Sequence, residues 1–315
     1  MTLARAIAMS VLAASIAQGQ VPPAPVVEFG GRATVGERVF VLDAGSGLSR
    51  VWAIDPATLL ATERLLRPGS RSITTYGLIV EPNGDARVLA DKGRRILRFP
   101  AGSETADQDQ ALASPSSGIW RLGSRTILNP IQLGTESRLL VDLSGGELSR
   151  FGSLTPRAGT SLQTRLVANI MRCAPESGGE LPCWHMAGKG EVFFLKEDGR
   201  MRRVSVATMA GPPRPPRDPG NPDEVVLSWI YPIRDVQLLP GGDFWILTNQ
   251  EGPIPPSEPG GIRGRHALLI RSRDGATLRT VELPREAKAL LHATPGDLVL
   301  LFSDGSIEKL ATIGK

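Results

Sequence analysis

Few side chains in this sequence can attack a bond, carry a proton or hold a metal. Histidine occurs at three positions in 315 residues, His185, His266 and His292, and cysteine at two, Cys173 and Cys183. Neither a Gly-x-Ser-x-Gly elbow, a His-Glu-x-x-His pair nor a Gly-rich phosphate loop is present, so no familiar nucleophile, zinc or phosphoryl-transfer motif announces a reaction. The cysteines stand in CAPESGGELPC, a short loop rich in Pro and Gly. In an exported chain such an isolated pair reads as a disulfide, because a metal site would need further Cys or His ligands nearby. Closing a loop this short stabilises the fold by roughly 3 kcal/mol in the chain-entropy model. Two buried free thiols are the alternative if the chain stays in a reducing compartment.

Export is what the first residues predict. Arg5 supplies a basic start, Ala6 to Ala17 an apolar run, and small residues at Ser15, Ala17 and Gly19 a cleavage site, so residues 1–19 read as a signal peptide and 20–315 as one domain, periplasmic or secreted. The apolar run is about a dozen residues, well short of the ~20 that a spanning helix needs, and no later run is longer. A formal net charge of +4 invites a nucleic-acid reading. The arginines, however, are scattered singly along apolar stretches, with no basic block and little aromatic interleaving, so nucleic acid is not the expected partner. Hydrophobic residues make up 41% of the chain, with 35 Gly and 26 Pro, which is the composition of a globular all-β protein with many short strands and turns.

The elements that must position any site are legible as a repeat. Val80 to Phe99 holds a turn at Pro82, Asn83 and Gly84, an apolar strand around Val88 and Leu89, Asp91 at its end, a second turn at Lys92 and Gly93, and a second strand containing Arg98. Taking Gly84 as anchor, equivalent turns fall at Gly36, Thr135, Gly190, Gly242 and Gly296, at a period of roughly fifty residues that suits propeller blades. Four and five positions beyond each anchor stand Phe40-Val41, Val88-Leu89, Leu139-Leu140, Phe194-Leu195, Ile246-Leu247 and Leu300-Leu301. A strand apolar at consecutive positions is buried on both faces, as where sheet packs on sheet. Seven positions beyond come Asp43, Asp91, Asp142, Glu197, Asn249 and Ser303, acceptors that read as turn chemistry and not as six catalytic acids.

The Pro-x-Gly turn, the apolar strand ending in Asp and the strand with Arg or Lys before an apolar residue (Ile96-Leu97-Arg98-Phe99, Ile307-Glu308-Lys309-Leu310) resemble the NHL-type six-bladed β-propeller over about Val26 to Ile313. The resemblance implies an all-β fold of six blades, each with four antiparallel strands, the innermost lining a central channel. The last blade lacks an outer strand by this count. Val26 to Phe29 is therefore expected to pair with Ser306 to Ile313 and close the ring. Long excursions at Pro100 to Gly118, Gly211 to Pro222 and Gln250 to Gly264 are the expected binding loops.

Some propellers of this shape are metal-dependent lactonases or hydrolases, and others are lyases with a His-ligated zinc, with ligands drawn from the starts of inner strands. The resemblance thus implies Asn129, His185 and Asp235 as candidate ligand-binding residues, with Tyr76 nearby. Measured from their anchors, His185 and His292 fall on opposite faces of equivalent strands, and His266 starts a third strand, which argues against a three-His zinc site. An oxygen site at Asn129 and Asp235 would suit Ca2+. Trp120, Trp184, Trp229 and Trp245 fall in strands and read as packing residues. The reading carried forward is a monomeric, exported binding module without a cofactor, recognising a protein or small molecule on the face of the Cys173 to Cys183 and Gln250 to Gly264 loops. A metal-dependent lactonase or hydrolase at the channel mouth is the alternative.

Overall fold

Apolar pairs at consecutive strand positions send one side chain to each face of a sheet, and the computed structural model shows what each face meets. It describes residues 25–45, 49–131, 140–143, 170–185, 191–206, 217–218, 221–225, 233–251, 265–294 and 296–311. Val41 packs into a seam with the last blade and Leu42 into a seam with the second. Likewise Val88 and Leu89, Ile246 and Leu247, and Leu300 and Leu301 each divide between two seams. Six such apolar seams join six blades, the sixth linking the last blade to the first. The fold is a six-bladed β-propeller, and its core is the ring of seams and not a single centre.

The first blade is β1 (Phe29–Val35), β2 (Arg38–Asp43), β3 (Ser49–Ile54) and β4 (Ala61–Leu66), paired antiparallel in that order. The second repeats it with β5 (Ile73–Val80), β6 (Ala86–Ala90), β7 (Arg95–Phe99) and β8 (Gln108–Ala111). In the third, the described strands are β9 (Ser116–Leu122), β10 (Arg125–Pro130) and β11 (Val141–Asp142). The fourth has β12 (Met171–Cys173), β13 (Glu180–His185), β14 (Glu191–Lys196) and β15 (Met201–Ser205), followed by a separate hairpin of β16 (Arg217–Asp218) and β17 (Asn221–Val225). The fifth is β18 (Ile233–Leu238), β19 (Phe244–Glu251), β20 (Arg265–Arg273) and β21 (Ala276–Glu282). The sixth is β22 (Ala287–Ala293), β23 (Asp297–Phe302) and β24 (Ile307–Ala311). Among the described residues no helix is long and apolar enough to cross a membrane.

Two of the six anchors expected from the sequence need correction. The strands that reach the channel in the third and fourth blades are β9 and β12, so the inner turns are at Gly123 and at Gly178-Gly179, all with positive φ. Thr135 and Gly190 lie outside the described residues and fall, in chain order, one connection later, between second and third strands. The physical reason is that second and third strands of a blade are both sandwiched: in the fourth blade Cys183-Trp184 on β13 and Phe194-Leu195 on β14 straddle the same two seams. A double-faced apolar pair identifies a sandwiched strand without saying which one.

The expected closing strand is also narrower than predicted. Among the described residues Val26 to Phe29 forms no ladder with the last blade, and Phe29 instead pairs with Asp43 in the first. The Val26 amide donates a single bond to the Gly305 carbonyl at 3.0 Å, and its side chain is buried in the seam between the last and first blades.

Candidate functional site at the channel mouth

Parts of the six inner strands converge on a cavity of about 430 Å3, lined by Phe29 to Arg32, Gly77, Trp120, Arg172 and Cys173, Ile233 to Asp235 and Lys288, with Trp184 added from the second strand β13. A smaller cavity of about 250 Å3 opens at the opposite end, between the ends of β1, β5 and β9 and residues Pro175 and Glu176. Arg32 and Trp120 border both and stand between them.

Space at the mouth comes from missing side chains. Gly31 has φ +142 and a Cβ built on it would lie 2.9 Å from the Gly77 amide nitrogen; Gly77 has φ +156 and a Cβ there would lie 2.5 Å from the Ile119 carbonyl oxygen. The inner strands of the first three blades therefore approach backbone to backbone, which only glycine permits.

Arg32 crosses the channel from the first blade. Its Nη2 meets the Asp235 carboxylate at 2.7 Å and donates to the Val236 carbonyl at 3.1 Å, while Nη1 donates to Gln237 Oε1 at 2.6 Å. The other Asp235 oxygen accepts the Leu290 amide at 2.8 Å, so one carboxylate links the first, fifth and sixth blades. Burial pushes the Asp235 carboxyl above its ordinary range, against the pull of Arg32 and the two backbone amides. His292, half-buried on β22, is held below its usual value by burial and then by the nearby positive charges of Arg32 and Lys309.

Of the residues singled out in the sequence, Asp235 alone is on an inner strand with its carboxylate at the channel. Tyr76 is on the inner strand β5, next to Gly77. Asn129 is on β10, a second strand; its Oδ1 accepts the Ser117 hydroxyl and, at 3.0 Å, the Met171 amide, so it joins the third blade to the fourth. His185 ends β13, also a second strand, opposite Met171 in the register. The three histidines thus occupy a second, a third and an inner strand, and the assignment of His185 and His292 to equivalent strands is corrected. Among the described residues no three His, Cys, Asp or Glu side chains gather as a metal centre would require.

The disulfide between Cys173 and Cys183 is present, bridging β12 and β13 across their ladder. Its loop joins an inner to a second strand, whereas Gln250 to Gly264, mostly outside the described residues, joins a second to a third. Antiparallel strands send those two kinds of connection to opposite rims, so the expectation that both loops share a face is corrected. Trp120 and Trp184 do pack in seams, as expected, and both are also among the residues that line the cavity. Trp229 lies outside the described residues.

What the sequence did not single out is the basic lining. Arg32, Arg172, Arg234 and Lys288 were four scattered cations among many, and only the starts of properly placed inner strands bring them together. Three of the acceptors bond backbone amides: Asp43 accepts that of Glu28 at 2.9 Å and Asp91 that of Ser72 at 3.3 Å, both just before inner strands, and Glu197 accepts that of Ser124 at 2.9 Å.

No family model and no curated protein matches the sequence. Among solved structures, virginiamycin B lyase from Staphylococcus aureus aligns with 94% of this chain and 99% of its own at 12% identity and a TM-score of 0.50. A catalytically inactive variant of that lyase with quinupristin aligns over the same shares at 14% identity and a TM-score of 0.50. A putative exported protein from Bacteroides fragilis aligns with 90% of this chain and 82% of its own at 8% identity and a TM-score of 0.55. At such identities the likeness is one of fold.

Proposed function

We propose that this chain is an exported, non-enzymatic binding module whose ligand enters the wider end of the channel. The observation that carries the reading is the cavity of about 430 Å3 to which every blade contributes, a size and concavity suited to a small molecule. Its one carboxylate, on Asp235, is already committed to Arg32 and the Leu290 amide, and the Asn129 oxygen to Ser117 and Met171. Oxygens used as joints between blades are poorly placed to serve as ligands or general bases as well. Export is supported by the Cys173 to Cys183 bridge, which persists in oxidising compartments. Membership of the NHL-type group is supported by the Gly84 turn, Asp91 and the Arg98 strand of the second blade.

A thermal-shift screen of a broad small-molecule panel tests the reading, run on the native chain and on Lys288→Trp, which fills the mouth. Ligands that raise the melting temperature of the first and not of the second are expected. A panel that shifts neither, or shifts both equally, would remove the channel mouth from consideration.

A further inference from the structure

We propose that the channel mouth selects a small organic anion: one oxyanion group attached to a flat apolar body. This deepens the reading above and rests on it. Among the described residues, four with cationic side chains line the cavity, Arg32, Arg172, Arg234 and Lys288, against one carboxylate, that of Asp235. Asp235 is paired with Arg32 and buried, and Arg234 has its own carboxylate partner in Glu286, so the charge that stands out is that of Lys288. Arg234 meets Glu286 outside the lining and donates to the Ala287 carbonyl at 3.4 Å, and Arg172 donates to the Ser117 carbonyl at 2.8 Å, contacts that fix both guanidinium groups on the wall. Lys288 is half-buried and has no acidic partner among the described residues. A concave, low-dielectric cleft in which cations outnumber carboxylates focuses a positive field on whatever enters, and Lys288, an ammonium without a carboxylate partner among the described residues, is the group best placed to bond an anion. Phe29, Trp120 and Trp184 add aromatic surface, and Gly31 and Gly77 leave room where side chains would otherwise stand. Aromatic faces and edges beside a cationic pole recognise a planar group that carries its charge at one end.

The test uses three matched probes, 2-naphthoate, 2-naphthamide and (2-naphthyl)methylammonium, titrated by calorimetry against the full chain, Lys288→Gln, and Lys92→Gln as a control at an exposed turn. The naphthoate should bind one to one and at least about tenfold tighter than the amide, the ammonium should not bind, and Lys288→Gln should lose about tenfold in naphthoate affinity while leaving the amide unchanged. Lys92→Gln should behave as the native chain. Equal binding of acid and amide, or an acid affinity unchanged in Lys288→Gln, would overturn the anion inference and leave a neutral binding mouth standing. If none of the three binds while another compound of the broad panel does so in a manner abolished by Lys288→Trp, the inference fails alone. Silence in both experiments ends both readings.

Discussion

Arg32 and Asp235 are the residues on which the channel depends most, and their chemistry sets a clear expectation. Both are almost fully buried, 4% and 7% exposed at the side chain, and each is the other's main counter-charge. Removing one partner of such a pair strands a charge in the interior and costs about 3–5 kcal/mol, whereas replacing both with apolar groups of similar volume is often close to neutral. Arg32→Met should therefore lower unfolding stability by about that amount, and Arg32→Met with Asp235→Leu should recover much of it, as a urea denaturation cycle would reveal. Strictly additive losses would mean the two side chains do not act as a pair. The sequence displayed Asp235 because it begins an inner strand. Its partner lay about two hundred residues away, and an arginine in a stretch reading Phe-Gly-Gly-Arg carries no local sign that it will cross a channel. Pairings between distant blades are set by ring closure, to which local pattern is blind.

At the scale of the strand, two devices recur. The first is a carboxylate just after the inner turn, bonded to a basic residue of the third strand: Asp85 with Arg98 at 2.6 Å, Asp243 with Arg271 at 2.7 Å, and Asp297 with Lys309 at 3.0 Å. This explains the repeated basic position seen in the sequence, which in the fifth blade is filled by Arg271 on β20. The Asp243 carboxyl is held below the usual carboxylate range by its bonds to Arg273 and Arg271, which outweigh burial. For Asp85, burial pushes upward, but Arg98 with the Ala101 amide and Asn83 brings the net below the usual carboxylate range. A carboxyl whose folded pKa is depressed adds stability above its unfolded pKa, and that stability is lost as pH falls through the folded value. Unfolding free energy should thus be flat near neutrality and fall below about pH 4, and Asp85→Asn with Asp243→Asn should make that fall shallower. An identical pH slope in the double variant would count against it. The second device is the close approach of inner strands at Gly77. A methyl there would meet the Ile119 carbonyl oxygen at 2.5 Å with φ at +156, so Gly77→Ala should cost about 2–4 kcal/mol by chemical denaturation. Gly36→Ala, where nothing lies within 4 Å, should be much milder, and equal losses would contradict the close-approach account.

Across the whole molecule, the fold class was legible because a propeller repeats one demand six times: two neighbouring apolar side chains, one for each adjacent seam. What stayed hidden was which sandwiched strand a given pair marks, hence the displaced anchors of the third and fourth blades, and the basic mouth that only correct placement of β9 and β12 assembles. Ring closure shows the same limit. Val26 to Phe29 does not add an outer strand to the last blade: Phe29 opens β1 of the first blade, and Val26 reaches the last blade through a buried side chain and one amide bond. Val26 is 2% exposed, packed in one cluster with Trp52 of the first blade and Val299 and Leu301 of the last. Gly305, at φ +85, brings its backbone so near that a Cβ would stand 2.5 Å from the Val26 oxygen. A toroid whose ends meet through a seam gains from any residue that packs into both sides of it, and a charge placed there faces apolar groups on each side. Val26→Asp should accordingly lower the melting temperature by several degrees, as a loss of about 2–4 kcal/mol would in a chain of this size. Its neighbour Val27 is 71% exposed, and Val27→Asp should leave the melting temperature close to that of the native chain. A Val26→Asp protein that melts with the native one would show that the ends of the ring hold together without this wedge.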